Sequence, residues 1–317
     1  MLTFKPVFFG AVLGVGGLAN DWRAASRLWG VPAGIGEALA CTAFALWTVL
    51  ITLYALKWLR HPVAAREEVQ HPVQALVAAL IPVTTMIASL AIAPHASVLG
   101  WWLYLAGSLG MLAFAAWSIG GLWLGGRDPA AITPILYLPV VGGGFVAALA
   151  SASFGAPDAA WMFFGIGLLS WLGLESVMLT RLFTLKLPVE LRATLGIHLA
   201  PAAVGSVAFS SVSPMVGGTN HVALLLLGYG LFLALIMLRL LPFLREQGFG
   251  PGAWSYTFGV SALPLAAMRL VEQGTGAPVV QLALPLFVAA NLIIGWIAVR
   301  SLMLLAQFAF ARPQTTA

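Results

Sequence analysis

Residues 69–126 contain no aspartate, glutamate, lysine or arginine, and residues 193–238 form a second such run. A helix crosses the ~30 Å hydrocarbon core of a bilayer with about 20 residues. Each run is therefore too long for one crossing and too apolar to be a soluble surface. The first divides at Ala93-Pro94-His95 and the second at Ser213-Pro214-Met215-Val216-Gly217-Gly218, both rich in turn chemistry. The rest of the 317 residues follow suit, with 61% hydrophobic and 8% charged, against roughly 25% charged in soluble proteins. An integral membrane protein is the only class that fits, with one transmembrane domain over 1–317.

Ten crossings can be placed: 4–20, 34–59, 72–93, 96–124, 131–153, 158–184, 191–212, 221–245, 251–271 and 277–308. With the N-terminus in the cytoplasm, Lys5, Lys57, Arg60, Arg66, Arg127, Arg181, Lys186, Arg192, Arg239, Arg245, Arg300 and Arg312 fall inside. Only Arg23, Arg27 and Arg269 fall outside. That asymmetry places both termini inside the cell. The net charge of +5 is explained by topology, and no nucleic-acid partner is called for. Cys41 is the single cysteine, so neither a disulfide framework nor a cysteine metal cluster can form within the chain. No metal site or cofactor is expected, and no HExxH or GxSxG motif points to an enzyme.

Pro82, Pro139, Pro201 and Pro264 recur at intervals of 57, 62 and 63 residues, each on an odd-numbered crossing. Proline removes a backbone donor and bends a helix. In lipid the freed carbonyl needs protein or a water-lined cavity. Tryptophan divides the crossings the other way. Outside Trp22 and Trp29, read as loop residues, nine of ten tryptophans lie on even crossings, Trp254 being the exception. Amphipathic rings suit the lipid interface. The odd crossings instead carry small and hydroxyl residues, including Thr85, Gly144, Ser206 and Ser261, which suit close helix approach or a polar path. The expected architecture is all-α: five hairpins, with odd helices in an inner ring around a central pore and even helices outside.

No acid or base occupies the middle of an odd crossing, and Glu37 and Glu175 both lie on even ones. Proton coupling thus has no inner carboxylate, and a cation pore has neither acidic rings nor a carbonyl filter. A hydroxyl and amide lining in a basic protein favours small anions, with weak discrimination. Glu175 reads as a structural acid paired with Arg239 or Arg181, with ion coupling as the alternative. His198 reads as a neutral packing histidine, with a titrating group on the path as the alternative. Phe258 is a large ring amid Ser255, Thr257 and Ser261, placed to plug a narrow channel, and Gly259 beside it would leave room for movement.

Several ordered segments resemble the TehA/slow-type anion channel family. They include Leu80-Ile81-Pro82-Val83-Thr84-Thr85-Met86, Tyr137-Leu138-Pro139-Val140, Leu199-Ala200-Pro201-Ala202 and Trp254-Ser255-Tyr256-Thr257-Phe258-Gly259. The resemblance covers nearly the whole chain. It implies ten helices, a homotrimer with one pore per protomer, and anion conduction blocked by Phe258. It further implies a lining glycine at Gly10 in Phe8-Phe9-Gly10. The proline usual on the first helix is replaced around Ala11-Val12. The competing reading is a secondary transporter for C4-dicarboxylates, sulfite or tellurite-related oxyanions. It would need a bound state and alternating access, and no inverted repeat of the carrier sort is visible.

Overall fold

The computed structural model describes residues 4–310 apart from Pro72, Arg127 and Val216. Arg127 and Arg312, counted above among the bases of one side, and Val216 of the expected turn lie outside the described residues. Among those described, all regular structure is helical. Ten principal helical segments follow the chain: α1 Gly10–Trp29, α2 Ala33–Arg60, α3 Gln74–Ile92, α4 Ser97–Trp123 and α5 Pro134–Ser153 come first. They are followed by α6 Pro157–Thr184, α7 Val189–Val212, α8 His221–Arg239, α9 Thr257–Glu272 and α10 Ala277–Phe310. Among the described residues eight of these are long and apolar enough to cross a membrane, all but α1 and α9.

Those two depart from the expected boundaries for physical reasons. α1 begins later than residue 4 and runs on to Trp29, so Trp22, Arg23 and Arg27 are helical and not loop residues. The bases are tolerated because Arg23 meets Glu37 at 2.8 Å and Arg27 meets Glu272 at 3.0 Å. Gly30, at φ 68°, then ends the helix in the left-handed conformation that glycine adopts without strain. α9 has only 16 residues, but a 3₁₀ turn, Pro251–Tyr256, leads into it.

The remaining boundaries follow local chemistry. Asn220 caps α8 by accepting from the Ala223 amide at 3.2 Å. Leu240 and Pro242 stop α8 at Arg239, short of the expected 245, and a separate helix follows over Leu241–Arg245.

Consecutive helices pair: α1 with α2, α3 with α4, α5 with α6, α7 with α8, and α9 with α10. The odd helices also touch one another in chain order, α1 to α3, α3 to α5, α5 to α7, α7 to α9, and α9 back to α1. Burial separates the two sets. The most apolar stretches of α3, α5 and α7 are 61–83% buried, whereas those of the even helices are 22–33% buried. Trp102, Trp123, Trp161 and Trp296 project outward from even helices, while Trp254 is buried. Trp171 breaks the pattern, since it is buried on an even helix and bonds to Glu175 at 2.9 Å.

Lipid gives helices no hydrophobic reason to associate, so close packing and hydrogen bonds must hold them. Small residues provide it here. A Cβ added to Gly144 would lie 2.7 Å from the Gly167 amide nitrogen on α6, so these two backbones touch. Gly14 and Gly17 of α1 likewise press against Thr257 and Ser261 of α9.

Each odd helix is irregular near its N-terminal end. A 3₁₀ turn, Pro6–Phe9, precedes α1. α3 breaks at Ala78–Ala79, four residues before Pro82, where the proline ring would collide with the carbonyl. The Ala78 oxygen takes the Ile81 amide instead, at 3.0 Å. Pro139 sits in a π turn over Leu138–Gly142, and α7 breaks at Leu199 just before Pro201. Pro264 differs, because α9 runs through it without interruption.

Candidate permeation pathway

The irregular ends enclose a cavity of about 410 Å³. Every odd helix contributes to its wall: Gly10 and Leu13 from α1, Val83 from α3, Phe145 from α5, Val204 from α7 and Phe258 from α9. Lys5, Glu190 and Gln247 stand among the residues around it, and its deeper wall is apolar. Non-helical backbone at membrane depth is tolerated where it lines a cavity. The broken N-termini and the cavity are thus one feature seen twice.

Beyond these residues the odd helices are tightly packed. On α3 residues 84–89 are all buried, and on α5 so are residues 146–151. At 1.5 Å per residue that belt is about 10 Å deep. One step of seven residues past the lining, exposure returns at Asn20, Leu90, Ala152 and Ser211. Side chains thus become partly exposed again at the far end of the odd helices.

The structure brings Gly10, Pro201 and Phe258 together on the cavity. It turns the other anticipated lining residues elsewhere. The Thr85 hydroxyl donates to the Ile81 carbonyl at 2.8 Å and accepts from Trp47 of α2. Gly144 is spent on the contact with α6. The Ser206 hydroxyl donates to the Ala223 carbonyl of α8 at 2.7 Å. Ser261 is wedged against Gly17 and donates to the Phe258 carbonyl at 3.2 Å. Pro82, Pro139 and Pro264 are not on the lining; Pro82 and Pro139 sit at irregular turns of helices that are, and α9 runs through Pro264 unbroken. Gly259 does not make room for Phe258. A Cβ there would lie 2.8 Å from Leu199 Cγ, so its smallness lets α9 approach α7.

Sequence reasoning missed Leu13, Val83, Phe145 and Val204. Leu13 and Val204 stand three residues beyond Gly10 and Pro201, one helical turn along the same face, and that spacing was the available signal. Phe145 is held rigidly, its ring lodged between Gly167 and Gly205 and 5.4 Å from the Phe164 ring.

Two charged groups differ from expectation. Glu175 pairs with neither Arg181 nor Arg239. It accepts from Tyr137 at 2.7 Å, Trp171 at 2.9 Å and Tyr229 at 3.2 Å, and lies 3.3 Å from His198. Arg181 instead donates to the Leu185 carbonyl one turn along its own helix, and Arg239 is exposed. A half-buried acid that accepts from three neutral donors and lies beside a histidine ties α6 to α5, α7 and α8. The second is Asp21. Because α1 extends to Trp29, this acid lies inside an odd helix, fully buried, and neither oxygen has a hydrogen-bond partner among the described residues. The odd helices are therefore not free of ionisable groups.

Toward the N-terminal ends of the odd helices, Lys57 forms a buried pair with Glu68 at 2.6 Å. Arg192 meets Glu246 at 2.5 Å and holds that carboxyl below the usual glutamate range. Among the described residues no His, Cys, Asp and Glu group could hold a metal ion.

The model of the voltage-dependent anion channel family, SLAC1, matches residues 3–304. The chain belongs to this family. A tellurite resistance protein TehA homolog of Haemophilus influenzae is 30% identical over 297 residues, covering 91% of this chain and 87% of that protein. The S-type anion channel SLAH2 of Arabidopsis thaliana is 27% identical over 92% of this chain, and SLAH3 is 25% identical over 85%. The chain spans 57% and 43% of those two plant proteins. With its apolar helices, membership makes this a multi-pass membrane protein.

Proposed function

We propose that the chain is a passive, weakly selective channel for small anions, of the chloride and nitrate kind, with Phe258 as its gate and Gly10 on its lining. One observation carries the reading: a cavity of about 410 Å³ is walled by all five odd helices, with the Phe258 ring on its lining. Family membership and relatives named as anion channels support the choice of anion. In this reading residues 1–317 form one transmembrane unit of ten spanning helices, five hairpins with the odd helices as an inner ring. The protein is a homotrimer in a bacterial inner membrane, with both termini and the cavity on the cytoplasmic side. No enzymatic step is part of it.

In this reading the apolar lining disfavours a dehydrated ion, and movement of the Phe258 ring removes the obstacle. Phe258→Ala should raise chloride and nitrate current several-fold in voltage-clamped cells expressing equal surface protein. Unchanged current in a well-expressed variant would sink the gate.

A second reading is a secondary transporter for C4-dicarboxylates, sulfite or tellurite-related oxyanions. The observation on its side is Asp21, since intramembrane acids commonly couple transport to protons.

A further inference from the structure

Arg269 was counted in the sequence as a base of the outer side. It stands on the same face of α9 as Phe258, because eleven residues at 3.6 per turn make about three turns. That places it about 16 Å farther along the helix, at the end opposite the cavity. Ser211 continues the face of Val204 on α7 in the same way, seven residues and about two turns on. Residues 261–268 are buried, and exposure returns at Arg269 as it does at Ser211. The two side chains meet there, with Arg269 Nη1 donating to Ser211 Oγ at 3.1 Å. Ser211 donates its own proton to the Val207 carbonyl at 3.0 Å, so its oxygen is oriented to accept.

This contact uses one edge of the guanidinium and leaves the other open. Nε is shielded from solvent and has no protein acceptor, and Nη2 makes no hydrogen bond among the described residues. Among the described residues no carboxylate forms an ion pair with it, though Glu272 lies near enough to act on its charge. Glu272, one turn on, is engaged by Arg27 at 3.0 Å, and buried Asp21 on the neighbouring α1 makes no contact with the guanidinium. The adjacent Ser210 hydroxyl is also buried and unpartnered. Gln273 secures that corner by donating to the Ser210 carbonyl at 3.1 Å. A shielded donor with no acceptor, on a cation with no ion-paired carboxylate, costs free energy that a bound anion would recover.

We propose that Arg269 binds a planar oxyanion, nitrate or a small carboxylate, at the far mouth of the pathway, with Ser211 as the positioning residue. The Nε and Nη2 protons form the fork that matches two oxygens of such an anion side by side. Chloride, being spherical, engages the same charge without using the fork. The inference rests on the conduction reading for its role in transport, but not for the binding itself.

The test is thermal unfolding of the purified full chain in detergent, with sodium nitrate, sodium acetate and sodium chloride at equal ionic strength. A ligand of the folded state raises the midpoint. Nitrate or acetate should raise it above chloride, and whichever does so names the anion. Arg269→Gln and Arg269→Lys should both erase that difference, since lysine keeps the charge and loses the fork. Ser211→Ala should weaken binding several-fold and keeps the test open if Arg269→Gln fails to fold. Absence of any difference in the unmodified protein, or its survival in Arg269→Lys, overturns the site. In current recordings, the half-saturating nitrate concentration from that side should rise several-fold in Arg269→Lys. Binding without conduction would refute the channel and leave the site standing.

Discussion

At the residue scale, hydroxyls on the odd helices serve neighbouring helices more than the pathway. Ser206 is the clearest case, its oxygen 2.7 Å from the Ala223 carbonyl and its side chain fully buried. Interhelical hydrogen bonds in membranes are worth about 0.6 kcal/mol on average and about 1.7 at most. Ser206→Ala should therefore lower the thermal midpoint slightly and leave the chloride-to-nitrate current ratio unchanged. A changed ratio would return the hydroxyl to the pathway. Which residues are small and polar was legible in the sequence, but where each hydroxyl points was not. That depends on helix rotation, which the proline breaks and glycine seams set through contacts distant in the chain.

At the scale of the element, the α5–α6 hairpin turns on two glycines. A methyl at Gly144 would fall 2.7 and 2.8 Å from the Gly167 nitrogen and Cα, and backbone yields less easily than a side chain. Overpacking of this kind costs about 1–3 kcal/mol. Gly144→Ala should lower the unfolding midpoint clearly. Gly173→Ala on the same α6, where a Cβ would meet nothing within 4 Å, should not lower it. Equal effects would mean that the seam contributes nothing. Gly144 was legible as a site of close helix approach, but not its partner, because Gly167 is one of many glycines on the even helices.

For the whole molecule, the decisive property is whether ions move passively. A channel with an apolar deeper wall should show reversal potentials that follow the anion gradient alone. The measurement is reversal potential at fixed anion and stepped pH in reconstituted protein. A shift with pH would favour the transporter, with Asp21 as its first candidate. The division into buried and lipid-facing helices was legible because tryptophan and proline segregate between them. The cavity's wall was only partly legible. Gly10 and Phe258 were named, but Leu13, Val83, Phe145 and Val204 look like any membrane apolar residue until five helix ends converge.

The chain by itself determined that it lives in a membrane and that Pro82 and Pro201 interrupt the helices that carry them. Those properties follow from composition and local backbone chemistry, which need no partner. Tertiary structure alone decided what the bends enclose, that Glu175 meets His198 and two phenols, that Asp21 is buried, and that Arg269 keeps one edge free. Each depends on how separate helices are rotated against one another, and that rotation is settled by packing across the whole bundle.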